Sequence, residues 1–134
     1  MILLLNTSSP VCQLAFAKDS GSGDNTIFYE TSWEAGRGLA KGLLLFIQQQ
    51  CEAQGFTTKD ITGLVVFKGP GSFTGLRIGI TVMNSLAYAH NVLIVGTAGD
   101  AWQQEGLTRL ATGENDKIVL PEYGSDAHIT KPRK

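Results

Sequence analysis

The sequence predicts an α/β domain built on one mixed sheet. Three observations carry this reading. Apolar segments of strand length follow one another up to Trp33 with only turns between them, and from Leu39 onward segments with three- and four-residue apolar spacing alternate with short apolar runs. The run Lys68-Gly69-Pro70-Gly71-Ser72-Phe73-Thr74-Gly75-Leu76-Arg77-Ile78-Gly79-Ile80 then joins one kind of segment to the other through a turn rich in glycine. Such a strand, turn and helix place backbone N–H groups at the end of a strand, a common position for an anion site or a docking surface.

Length and composition set the limits. With 134 residues, 43% hydrophobic and 17% charged, the chain has room for one compact domain and one core. Its net charge of −1 supplies no overall basic field for nucleic acid, although Lys131-Pro132-Arg133-Lys134 forms a small basic tail. Cys12 and Cys51 lack metal-like spacing and read as buried thiols. Met1 to Leu5 is apolar but stops at Asn6, which suits a buried strand better than a signal peptide. No segment approaches the roughly 20 apolar residues of a membrane span, so a cytoplasmic protein is expected.

Each element follows from its pattern. Ile2 to Leu5 is a strand, Asn6 to Pro10 a polar turn, and Val11 to Ala17 a second strand whose alternation puts Cys12, Leu14 and Phe16 on one face. Lys18 to Asn25 is a longer turn, mobile at its tip, and Thr26 to about Trp33 completes a three-stranded meander. A helix is expected from Leu39 to Gln54, with Leu39, Leu43, Phe46 and Ile47 as its core stripe and Gly55 as its stop. Its start is blurred by Gly36, Gly38 and Gly42. Ile61 to Phe67 is a strand parallel to an earlier one, because a helix intervenes. Ser72 is placed to cap a helix from Phe73 to about His90. Val92 to Val95 is the next strand, Thr97 to about Leu110 a helix, Ala111 to Asp116 a loop, and Lys117 to Leu120 a short edge strand before Pro121. From Glu122 onward the pattern has no period and reads as extended or disordered.

Gly75 and Gly79 lie four apart on one face of the helix after Ser72. Two helical glycines cost about 2 kcal/mol relative to alanines, a loss offset only where another backbone packs against the bare strip. That neighbour is either the protein's own sheet or another chain. Arg77 stands on the opposite side, as a solvated cation or an interface arginine, and Phe73 is either a staple into the core or a contact residue.

The order β-β-β-α-β-α-β-α is that of one lobe of the actin-like, ribonuclease-H-like ATPase fold. Within it, Gly69-Pro70-Gly71-Ser72-Phe73-Thr74-Gly75-Leu76-Arg77-Ile78-Gly79 resembles the signature of the TsaB (YeaZ) family, paralogues of the TsaD proteins. Leu3-Leu4-Leu5-Asn6-Thr7-Ser8 and Leu93-Ile94-Val95-Gly96-Thr97 are similar to that family's first strand and to the strand after its motif helix. The likeness covers roughly residues 1 to 100, and it divides the chain into an N-terminal lobe over 1–110 and a short remnant with a C-terminal tail over 111–134. The family usually has a second lobe about as large as the first, and the segment from Pro121 to Pro132 is similar to the C-terminal ends of some members. The resemblance therefore implies a shortened, rudimentary second lobe. The family's histidine near the start of the first helix is replaced by Gly36-Arg37-Gly38.

The resemblance implies a scaffold without chemistry of its own. It would bind a TsaD-like protein for threonylcarbamoylation of the tRNA adenosine beside the anticodon, with a TsaE-like ATPase and tRNA reached only through the complex. The implied interface lies on the two helices, with Phe73, Gly75, Leu76, Gly79, Ile80 and Met83 on the second and Leu44 and Leu45 on the flank of the first. A homodimer through the same face is also expected.

The residues agree with missing chemistry. His90 and His128 do not form the two-histidine helix motif that TsaD-type proteins use for metal, and Ser8, Ser9 and Ser72 have no base nearby in sequence. Asn6 stands where actin-like ATPases place an aspartate. The glycine motif has Thr74 where a dinucleotide fingerprint needs its third glycine, and no Gly-Lys-Ser/Thr follows Gly71. No catalytic residue, metal or cofactor is therefore expected. The alternatives are a metal- or nucleotide-dependent hydrolase or peptidase of the same superfamily, and a homodimeric interaction module.

Overall fold

A computed structural model of the protein describes residues 1–20 and 25–122. The expectations for the tip of the first long turn, for the basic tail and for His128 fall outside the described residues. Five strands form one sheet in the order β3-β2-β1-β4-β5, with β1 Ile2–Asn6, β2 Val11–Ala17, β3 Ile27–Glu34, β4 Gly63–Gly69 and β5 Leu93–Ala98. The first three are antiparallel and the last two run parallel to β1 and to each other. Leu4 sits opposite Ala15 on one side and Val65 on the other, and Val65 opposite Val95, so a single row of side chains crosses the sheet. β1 and the middle of β4 are covered on both faces, which is why they read as unbroken apolar runs rather than alternations.

Three α-helices cover the sheet: α1 Leu39–Ala53, α2 Phe73–His90 and α3 Trp102–Ala111. The helix α1 buries Leu39, Leu43, Ile47 and Cys51, one residue per turn, and each buried aliphatic side chain contributes roughly 1.5–3 kcal/mol. Trp33 of β3 stacks on Phe46 at 5.0 Å and its ring fills the space left by the missing side chain of Gly42. The end of α1 is a Schellman motif. Gly55, with φ of +84°, lets its own N–H reach Glu52 O at 3.0 Å and that of Phe56 reach Cys51 O at 2.8 Å. Helix α3 lies on the other face, with Trp102 edge-on to Phe67 at 5.8 Å and Gly106 directly over Val65. Cys12 and Cys51 are free and buried, and burial pushes both thiols up to about 11.

Two expectations at the C-terminal side are corrected. Helix α3 begins at Trp102 rather than Thr97, because Thr97 and Ala98 still pair with β4 and Gly99 then turns the chain at φ of +83°. The expected strand over Lys117–Leu120 is not formed. Its place at the β5 edge is taken by side chains. Asn115 Oδ1 accepts from Ile94 N–H at 3.1 Å, Asp116 Oδ2 accepts from Gly96 N–H at 2.9 Å, and Arg109 donates to Gly96 C=O at 3.0 Å. The Asp116 N–H completes the set by donating to Ile94 C=O at 2.8 Å. An unpaired edge that invites another strand is thereby closed. Val119, 3% exposed, is held against the same side by the Asn84 side-chain amide, which accepts from its N–H and donates to its C=O.

Arg109 also pairs with Glu114 at 2.7 Å and with Asp116. Burial pushes the Asp116 carboxyl up, but the hydrogen bonds from Arg109 and from the Gly96 N–H, with the Arg109 and Lys68 charges, outweigh it and hold the group below the usual carboxylate value. A group so lowered contributes its stability above the unfolded value of 3.8 and loses it as the pH falls through the folded one. The clasp is thus intact at neutral pH and opens only in acid. Asp116→Ala should cost about 1–2 kcal/mol and speed exchange of the Gly96 amide tenfold or more, read by hydrogen exchange. An unchanged Gly96 rate would show that the clasp does not hold the edge.

Candidate functional site

The turn from Asn6 to Pro10 and the glycine motif form one unit at the C-terminal ends of β1 and β4. Asn6 Oδ1 accepts from Ser8 N–H at 2.9 Å, a side-chain turn that holds Thr7 in place. The Thr7 hydroxyl, in a residue 1% exposed, donates to Gly75 C=O at 2.6 Å. Ser72 N–H donates to Ser8 C=O at 2.9 Å, and Ser72 Oγ accepts from Gly75 N–H at 3.4 Å, so the expected cap is formed.

This arrangement resolves what the bare glycine strip is for. A side chain on Gly75 would overlap the carbonyl oxygen of Thr7, and one on Gly79 would overlap the Thr7 hydroxyl and stand 3.1 Å from Thr7 Cβ. The neighbour that needs the strip is therefore the protein's own first turn. The expected interface is corrected accordingly: Gly75, Leu76, Gly79, Ile80 and Met83 are all buried in the single chain, with Leu76 and Met83 0% exposed, and none of them is available to a partner. Phe73, Leu44 and Leu45 remain at the surface, 54%, 46% and 57% exposed.

The same contacts argue against an anion site at the start of α2. The carbonyl oxygens of Thr7 and Ser8 point at the strip and at the Ser72 N–H, so acceptors occupy the region where a phosphate would need donors. The adjoining hollow of about 420 Å³ over the strand ends is lined by Asn6, Phe67, Pro70, Gly99, Asp100 and Trp102, so that among the described residues its one charged group is a carboxylate. No cation among these described residues is placed to meet the phosphates that a nucleotide of the ATPase fold would bring. Among the described residues no three of His, Cys, Asp or Glu lie close enough together to hold a metal ion.

What the structure does present is the joint surface of α1 and α2. A groove of about 370 Å³ runs between the helices, lined by Ala40, Thr74, Arg77, Ile78, Thr81 and Val82. The Arg77 guanidinium lies 5.3 Å from the centre of the Phe73 ring, a cation–π contact at the mouth of the groove. Leu44, one turn after Ala40, continues the apolar surface along α1. Helix spacing identified Leu44 and Leu45 as a second apolar face, whereas Ile78, Val82 and the groove itself depend on how the two helices cross and had no signal in the sequence.

Comparison with known proteins gives a consistent set. Residues 33–98 match the family model described as TsaD, tRNA N6-adenosine threonylcarbamoyltransferase. Among curated proteins the chain is 30% identical to the tRNA threonylcarbamoyladenosine biosynthesis protein TsaB of Escherichia coli (strain K12), over 93% of this chain and 55% of that protein. It is 27% identical to the TsaB of Buchnera aphidicola subsp. Schizaphis graminum (strain Sg), over 92% of this chain and 59% of that one. Among solved structures it superposes on YeaZ from Pseudomonas aeruginosa with a TM-score of 0.61 and 26% identity, covering 72% of this chain and 43% of that chain. The chain thus spans a little over half the length of these curated relatives.

Proposed function

The chain belongs to the TsaB (YeaZ) family, and from that premise we propose that it acts in tRNA threonylcarbamoyladenosine biosynthesis as a docking subunit without chemistry of its own. Its partner in this reading is a TsaD-like protein, with a TsaE-like ATPase and tRNA engaged through the complex, in the cytoplasm. The observation that carries the reading is the exposed apolar surface of α1 and α2 around Leu44, Leu45 and Phe73, on a chain whose strand-end hollow has no cation among its described residues to meet a nucleotide's phosphates. No helix among the described residues is long and apolar enough to cross a membrane.

The glycine motif serves this role indirectly. It locks α2 onto the first turn through Thr7, and so fixes the angle at which Phe73, Arg77 and Ile78 meet α1. A surface held by packed backbone is pre-organised, which lowers the ordering cost of association.

The test is co-purification with the TsaD-like protein of the same genome. Size exclusion of the mixture should give a single complex of the two chains. Separate elution of both proteins across a range of concentrations would refute the docking role.

A further inference from the structure

The surface shared by α1 and α2 carries charge of one sign. From Gly36 to Cys51 and from Pro70 to Asn91 the sequence holds Arg37, Lys41 and Arg77 and neither aspartate nor glutamate, in a chain whose net charge is −1. All three cations are exposed. The ion pairs among the described residues lie elsewhere, at Lys68–Glu122 and around Arg109. The nearest carboxylates along the chain, Glu34 at the end of β3 and Glu52 in the last turn of α1, stand outside the two segments. An apolar centre of Leu44, Leu45, Phe73 and the half-buried Ile78 and Val82 is therefore accompanied by cations that no carboxylate among the described residues pairs with.

We infer that this face is matched to a different protein whose docking surface is apolar and carries carboxylates, and that its charge works against pairing with a second copy of the chain. The inference rests on the docking role proposed above and specifies the chemistry of the partner. In a twofold pair the same patch meets itself, so Arg37, Lys41 and Arg77 would be gathered around one interface with their duplicates and no counter-charge. Against a carboxylate-bearing face the same cations steer encounter and fix register, and the water-excluding centre strengthens each contact. The apolar centre also distinguishes this face from a nucleic-acid surface, where phosphate contacts would need more cations and would leave Leu44 and Leu45 without a partner.

Salt separates the possibilities because it acts with opposite sign on the two protein pairings. The full chain and the TsaD-like protein, purified separately, are to be mixed at low salt and at about 1 M salt, where the screening length falls to about 3 Å. Association with the TsaD-like protein should slow by roughly tenfold or more at high salt. The pair Lys41→Glu and Arg77→Glu should reproduce that loss at low salt and have little further effect at high salt, with an unchanged melting curve showing that the fold is intact. Sedimentation of the chain alone should show a monomer at low salt, and a stable dimer at low salt would overturn the inference.

A complex that forms but ignores both salt and charge reversal would overturn the charge inference and leave the docking role standing. No complex at either salt would overturn the docking role and the inference together. Tight, salt-sensitive binding of a tRNA transcript to the chain alone would instead assign the cations to nucleic acid and overturn the inference.

Discussion

Replacing Gly79 by leucine is expected to destabilise the fold by about 3 kcal/mol or more, and not merely to weaken association. The added Cβ overlaps the Thr7 hydroxyl, and Thr7 has nowhere to go. It is 1% exposed, it hydrogen-bonds Gly75 C=O at 2.6 Å, and the Asn6 side chain fixes the turn that carries it. Accommodating the larger residue would push α2 away from β1 and break a buried hydrogen bond, leaving the Thr7 hydroxyl without its acceptor. Urea unfolding followed by circular dichroism measures the effect. Arg77→Leu, two residues away on the exposed side of the same helix, is the control and should change stability by about 0.5 kcal/mol or less. The double variant Thr7→Ala with Gly79→Ala should lose less stability than the sum of its singles, since removing the Thr7 hydroxyl makes room for the methyl added at Gly79. A Gly79→Leu protein that unfolds at the wild-type urea concentration would refute the packing account of the motif.

The second large effect is expected on binding. Leu44→Gln and Phe73→Gln together should lower affinity for the TsaD-like protein at least a hundredfold while leaving the melting temperature within a few degrees of wild type. Both side chains are about half exposed, so their loss removes little from the core, and glutamine is compatible with both helical positions. At an interface centre, truncating a large apolar anchor costs about 2 kcal/mol or more, roughly thirtyfold in affinity for each. Neutral glutamine also leaves the charge of the face untouched, which keeps this measurement independent of the salt series. Titration calorimetry gives the affinity directly. Wild-type affinity in the double variant would move the interface off this face.

The fold was legible because its local signals agree. Leu39, Leu43 and Ile47 recur at helical spacing, Ser72 caps the helix that begins at Phe73, and the parallel strands are unbroken apolar runs; all three appear in the structure as the pattern implies. The site was only half legible. Sequence spacing showed that Gly75 and Gly79 need a close neighbour, but the choice between the protein's own turn and another chain depends on where Thr7 lies, a contact spanning 68 residues. The β5 edge failed for a related reason. Lys117–Leu120 has the composition of a strand, yet Asn115, Asp116 and Arg109 had already satisfied the edge through side chains. Such substitutes for a ladder leave no periodic trace.

The most direct test of the docking account is hydrogen exchange of the chain with and without the TsaD-like protein. The account predicts that added protection falls on Leu39–Ala53 and on the first turns of Phe73–His90, with Trp102–Ala111 and Ile27–Glu34 unchanged. Protection centred on Trp102–Ala111 or on the strand-end hollow at Asn6 and Asp100, with α1 and α2 unaffected, would contradict it.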